Sequence, residues 1–256
     1  SSTSVNILCN GASTGSIDLT VSGGTTNYTY AWSDGASYTA TTADISNLAA
    51  GTYTCTVTDA NSCTTTEAVT ITQPAVLVST STMVMVNCNG GSDGTATAVP
   101  TGGTSPYTYL WNDPSAQTTA QATGLVAGTY TCTVTESNGC TVTGTVAFAV
   151  TQPAVLTADI TQTNSILCYG DDDGQLTGTI TGGTSTYDYV WGTTAGGAEH
   201  ATVSNEASLT NVQSSLEPDE YFLTVTDDNG CTANDNITIS EPDALTATSS
   251  GGAALD

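Results

Sequence analysis

The chain has 256 residues and a formal charge of -24, with 24 acidic side chains, one histidine and neither lysine nor arginine. Nothing in it can neutralise phosphates, so nucleic acid is excluded as a partner and an anionic membrane surface would not attract it. Cohesion must therefore come from packing, backbone hydrogen bonds and disulfides, with solution cations balancing the surplus charge. No window approaches 18 consecutive apolar residues, so no transmembrane helix is expected and direct membrane insertion is not. No basic region followed by an apolar run is present, so no signal peptide is expected in these residues. Eight cysteines in a Thr-, Ser- and Gly-rich chain point to an oxidising, extracellular setting.

The first element signal is the loop CNGASTG at Cys9, followed by Ile17, Leu19 and Val21 alternating with Asp18, Thr20 and Ser22. A glycine pair then opens GGTTNYTYAW at 23–32, in which Tyr28, Tyr30 and Trp32 share one face. GTYTCTVTDANSC at 51–63 places Tyr53, Cys55 and Val57 on one face and threonines on the other, and TITQPAVL closes the unit. The same succession returns with CNGGSDG at Cys88, GGTSPYTYLW at 102–111, GTYTCTVTESNGC at 128–140 and AVTQPAVL. It returns again with CYGDDDG at Cys168, GGTSTYDYVW at 182–191, DEYFLTVTDDNGC at 219–231 and TISEPDAL. The third unit is longer because residues are added on both sides of its SLTNV segment.

The period within each unit is two, and short threonine-rich runs bounded by glycine read as half-buried antiparallel strands. About seven strands per unit fit a β-sandwich with Greek-key connections. The expected architecture is all-β: three tandem immunoglobulin-like sandwiches of about 80–90 residues in a linear array. Their expected boundaries are 1–78, 79–157 and 158–247, with 248–256 a tail or the start of a further repeat. The stretches between units are short and strand-like rather than Gly/Ser-rich, which suggests stiff joints. End to end, such an array is expected to span roughly 100 Å.

Trp32, Trp111 and Trp191 are expected to anchor the three cores together with Tyr53, Tyr130 and Tyr221, and the Tyr-x-Cys motifs at Tyr53 and Tyr130 resemble the tyrosine corner of immunoglobulin-like sandwiches. The competing use of the aromatic strands is as stacking platforms for sugar rings. The aromatic face stays constant while its surroundings drift, which favours cores. His200 has no serine and aspartate at a spacing that suggests a triad, so no catalysis is expected.

These motifs together resemble the SprB repeat. The resemblance rests on Cys-x-Gly-x-x-x-Gly, Gly-Gly-Thr-x-x-Tyr-x-Tyr-x-Trp, Gly-Thr-Tyr-x-x-x-Val-Thr-Asp-x-x-x-Cys and Ile-Thr-Gln-Pro. Polycystic-kidney-disease-type domains share the Tyr-x-Trp strand but usually lack the paired cysteines. The resemblance implies a tandem segment of a secreted, cell-surface adhesin of gliding bacteria, serving adhesion, gliding motility or filament building, with no catalysis. Its expected neighbours are further repeats of the same array, and its ends read as cuts through a longer one. A polymerising filament subunit and a carbohydrate-binding module are the alternative readings; the surface or glycan ligand is unknown.

The third unit has only Cys168 and Cys231, since Leu223 stands where the first two carry Cys55 and Cys132. If each unit closes itself, Cys168 pairs with Cys231, and by alignment Cys9 pairs with Cys63 and Cys88 with Cys140. Cys9–Cys55 is the competing, antibody-like pairing. On the first scheme Cys55 and Cys132 are free, buried thiols. A Cys168–Cys231 bridge would also draw Asp171, Asp172 and Asp173 toward Asp227 and Asp228, and five hard oxygen donors in flexible loops suit calcium. The competing reading is two solvated acidic turns.

Overall fold

The alternation of apolar residues with threonine dictates the strands. In the computed structural model, which describes residues 1–143, 148–194 and 199–248, there is no helix among the described residues. The first repeat contributes β1 (Ser2–Val5), β2 (Gly15–Leu19), β3 (Thr29–Ser33), β4 (Thr39–Ala40), β5 (Ile45–Leu48), β6 (Gly51–Thr58) and β7 (Thr64–Ile71). They form two antiparallel sheets, ordered β1-β2-β5 and β4-β3-β6-β7. The chain changes sheet between β2 and β3 and returns at β5, so neither sheet is a simple meander.

The inward faces of both sheets meet in one core, which holds Ile17, Leu19, Trp32, Leu48, Tyr53, Cys55, Val57 and Ile71. Trp32 lies opposite Cys55 in the ladder, and its indole N–H donates to Thr42 O at 3.0 Å. Tyr53 is buried and its hydroxyl reaches back to Ala49 O at 3.1 Å, a tyrosine corner.

The middle repeat supplies β8 (Val78–Val84), β9 (Gly94–Thr101), β10 (Tyr107–Trp111), β11 (Gln121–Leu125), β12 (Gly128–Tyr130), β13 (Cys132–Glu136), β14 (Thr141–Thr143) and β15 (Phe148–Val150). Their sheet orders are β11-β9-β8, β10-β13-β14 and β12-β15. Trp111 faces Cys132 in the same register as its counterpart, and its ring meets Phe148 edge-on at 4.8 Å. Ala96 and Ala98, both buried, stand where the first repeat has Ile17 and Leu19.

The third repeat forms β16 (Thr157–Asn164), β17 (Gly174–Thr181), β18 (Tyr187–Thr193), β19 (Glu199–Glu206), β20 (Thr210–Leu216), β21 (Glu220–Asp227) and β22 (Thr232–Thr238). Its sheets are β16-β17-β20 and β19-β18-β21-β22, so the added residues became the long hairpin partner β19 and extended β20. Trp191 lies opposite Leu223, and both are fully buried. Gly178 accommodates the larger residue: a Cβ there would stand 2.7 Å from Leu223 Cδ2 and 2.9 Å from Trp191 Cζ2. The Tyr221 hydroxyl donates to Glu217 O at 3.0 Å.

By contact, the chain groups into two compact units. One comprises Ser1–Val84, Thr95–Thr123 and Gly128–Ala149; the other comprises Met85–Gly94, Gly124–Ala127 and the chain from Val150. Residues of the middle repeat are thus shared between them. Of the expected tail at 248–256, residues 249–256 lie outside the described residues.

Candidate functional site

The tryptophans do not form an exposed platform: Trp32, Trp111 and Trp191 are at most 2% exposed. Tyr130 is buried like Tyr53 and Tyr221. His200 lies in β19, and its side chain falls outside the described set. The distinctive chemistry sits instead where one repeat passes into the next.

Within the first unit, the loop at Cys9 lies at the end of the sandwich where β7 finishes. Ile7 N donates to Thr72 O at 3.0 Å, Asn10 Nδ2 to Pro74 O at 2.8 Å and Gly11 N to Gln73 Oε1 at 2.8 Å. Cys63 lies where β7 begins, just before Thr64. Eight residues at about 3.3 Å each put roughly 25 Å between the two ends. A disulfide tolerates Cα separations of about 4.4–6.8 Å. The self-closing pair Cys9–Cys63 is therefore not formed, and Cys9 bonds Cys140 of the next repeat with a Cα–Cα distance of 5.7 Å.

The second unit repeats the geometry. Cys88 bonds Cys231, again at 5.7 Å between Cα atoms, so neither Cys88–Cys140 nor Cys168–Cys231 exists. The same strand-length separation applies, since β17 runs from the Cys168 loop to the glycine pair beside Asp227. Cys63 and Cys168 remain as exposed thiols. Cys55 and Cys132 are unbridged and buried, and burial pushes both thiols up in pKa.

Around each bridge the polar contacts repeat. Gly103 N donates to Ala75 O at 2.9 Å and Gly183 N to Ala154 O at 3.1 Å. Asn138 Nδ2 spans Thr104 Oγ1 at 3.1 Å and Leu8 O at 3.2 Å. Asn229 Nδ2 spans Thr184 Oγ1 at 3.0 Å and Asn87 O at 2.9 Å. The incoming chain passes so close that a Cβ on Gly102 would lie 2.0 Å from Val76 O, and one on Gly182 1.9 Å from Val155 O. At φ of +72° and +71°, only glycine serves both demands.

An acidic residue organises each turn. Asp227 is buried and accepts from Thr184 N at 2.8 Å, Asn229 N at 3.0 Å and Cys231 N at 2.8 Å. Glu136 accepts from Thr104 N. In the first repeat, Asp59 accepts from Thr25 N, Cys63 N and Asn61 N, and the first two of these bonds chiefly hold its carboxyl below the usual range. Cys9, Cys140 and Glu136 bring ligand-type atoms within 4.8 Å of one another, but both sulfurs are used in the bridge.

The expected calcium constellation is not assembled. Asp171, Asp172 and Asp173 precede β17 at one end of the sandwich, whereas Asp227 closes β21 and Asp228 follows it at the other. Asp171, Asp172 and Asp228 are exposed, Asp227 is committed to its turn, and Asp173 Oδ1 is buried without a hydrogen-bond partner. The inference of convergence rested on a bridge that strand length forbids. The signal available in sequence was that each loop cysteine and turn cysteine of one repeat flank whole strands.

Residues 1–37 and 80–116 both match the family model described as SprB repeat. These two segments are similar to the SprB repeat. Each contains the loop cysteine, the glycine pair and the core tryptophan described above, while the turn cysteines Cys140 and Cys231 lie outside the matched segments. Among curated proteins no relative matches. Among solved structures, the chain is similar to the full ectodomain (Ig1–Ig3) of mouse nectin-like molecule 4. That match has 13% identity and a TM-score of 0.36, covering 80% of this chain and 79% of that one. It is also similar to the four N-terminal Ig domains of Dscam1 isoform 6.44, at 13% identity and a TM-score of 0.29, covering 94% and 72%. The fold assignment itself rests on the strand pairing. No helix among the described residues is long and apolar enough to cross a membrane.

Proposed function

We propose that this chain is a non-catalytic repeat segment of a secreted bacterial cell-surface adhesin, spacing a binding region away from the cell. The observation that carries the reading is the joint. A disulfide fastens the entry loop of one repeat to the far turn of the next, and a backbone bond and a shared asparagine flank it. Such a linkage serves mechanical continuity and persists only in an oxidising compartment. The SprB match supports a cell-surface role, and the absence of lysine and arginine removes every trypsin site, which suits an exposed location. Antibodies raised against the chain are expected to label intact cells of the source organism and to reduce their attachment to surfaces. Labelling that appears only after the envelope is permeabilised would overturn the reading.

A further inference from the structure

Glu136 is 4% exposed and lies beside the Cys9–Cys140 bridge, where one of its oxygens and the two sulfurs fall within 4.8 Å of one another. Among the described residues the one hydrogen bond to its carboxylate comes from Thr104 N and goes to Oε2, so Oε1 keeps its lone pairs unused. The second bridge has a different neighbour. Asp227 is one methylene shorter, and its two oxygens accept N–H bonds from Thr184, Asn229 and Cys231. Among the described residues it assembles no such trio with Cys88 and Cys231. Contacts other than the sulfur–sulfur bond also hold the first joint together. Glu136 and Cys140 share one turn, with Glu136 N donating to Cys140 O at 3.0 Å and Gly139 N to Glu136 O at 2.9 Å. Asn138 Nδ2 holds Leu8 O of the Cys9 loop at 3.2 Å, and Gly103 N holds Ala75 O at 2.9 Å. A cleft lined by Cys9, Ala75, Leu77, Gly103, Glu136 and Cys140 opens onto the three groups.

We propose that opening the Cys9–Cys140 bridge turns the first joint into a site for a thiophilic divalent cation of the zinc(II) class. Cys9 Sγ, Cys140 Sγ and a Glu136 oxygen hold the ion, with water in the fourth position. Zinc takes sulfur at about 2.3 Å and carboxylate oxygen at about 2.0–2.2 Å, so two sulfurs on one ion stand roughly 3.8 Å apart. Cysteines with Cα atoms 5.7 Å apart reach that spacing by side-chain rotation once the bond is broken. Two thiolates favour zinc over calcium or magnesium, which demand oxygen ligands. Opening proceeds by exchange: two glutathione thiols become one glutathione disulfide, and the bridge becomes two protein thiols. The cation then displaces both thiol protons, which leave to solvent. A formal charge of -24 draws cations toward the site. Reduction therefore unfastens the second joint outright, whereas zinc refastens the first.

The test uses the full chain, reduced with a phosphine and titrated with cobalt(II) as a spectroscopic stand-in for zinc. A single bound cobalt with the near-ultraviolet sulfur-to-cobalt band of thiolate ligation is expected, and zinc should displace it. Cys9→Ser and Cys140→Ser should each abolish the band, whereas Cys88→Ser, or Cys63→Ser combined with Cys168→Ser, should keep it. Glu136→Gln preserves an acceptor for Thr104 N and should weaken cobalt binding at least about tenfold, since even the outer partners of a metal ligand are worth that much. Thermal unfolding of the reduced chain is a second readout that holds even where reduction costs the chain its fold. Excess zinc should raise or restore the transition by mass action in the parent and in Cys88→Ser, but not in Cys9→Ser. Absence of the band, its survival in Cys9→Ser, unaltered affinity in Glu136→Gln, or unfolding that zinc leaves unchanged would overturn the proposal.

Discussion

At position 223 the third repeat carries leucine where the first two carry cysteine, and Gly178 is what gives it room. Leucine in place of cysteine was visible in the sequence, and so was an apolar inward face for both. That glycine and leucine form one volume was not, because they lie on strands of facing sheets and only packing brings them together. Gly178→Ala is expected to cost about 1–3 kcal/mol by overpacking. Combining it with Leu223→Cys should cost clearly less than the sum of the two single changes, as a double-mutant cycle by thermal unfolding would show. Equal additivity would mean that the two do not share space. Asp59 gives a second residue-scale expectation. Its carboxyl is held below the usual range, first by Thr25 N–H and then by Cys63 N–H, so the turn is favoured with the group ionised. That contribution is fully present above the ordinary aspartate value of about 4 and is lost as pH falls through the lower folded-state value. Carboxyl NMR should find a depressed midpoint for Asp59, and Asp59→Asn should remove the acid sensitivity of Thr25 amide exchange.

At the scale of elements, the period of two and the glycine-bounded runs made the strands legible, and the repeated Trp-to-Cys or Trp-to-Leu register follows from them. The cysteine pairing was not legible in the same way. Alignment groups Cys9 with Cys88 and Cys168, and Cys63 with Cys140 and Cys231, but says nothing about which end of a sandwich each occupies. Strand length decides that, and it sends every bridge to the following repeat. The expected thiol count follows directly. Without reductant, a native chain should label at Cys63 and Cys168, an unfolded one also at Cys55 and Cys132, and only a reduced one at all eight. Rapid native labelling of Cys55 would contradict its burial. Among the turns, Tyr221→Phe removes the hydroxyl that donates to Glu217 O, and should lower stability by about 1 kcal/mol by denaturant titration.

For the whole molecule, three copies of one pattern were plain in the sequence, whereas the interlocking of their covalent links was not. Each bridge closes a long loop, of sequence separation 131 and 143, for which chain-entropy models give about 5 kcal/mol. Reduction should therefore lower the calorimetric unfolding temperature well beyond the effect of any single core substitution. The two loops also overlap, because Cys88 lies inside the first and Cys140 inside the second. A force applied at Cys9 and Cys231 consequently does not run along the sequence. It crosses to Cys140, travels back to Cys88 and crosses again, over about 50 residues instead of about 220. Fully stretched, that path is about 180 Å long, against about 760 Å for the reduced chain. The overlap sets a fixed leash: under load the sandwiches can open, but most of their hidden length stays out of the line of force until a reductant cuts the bonds.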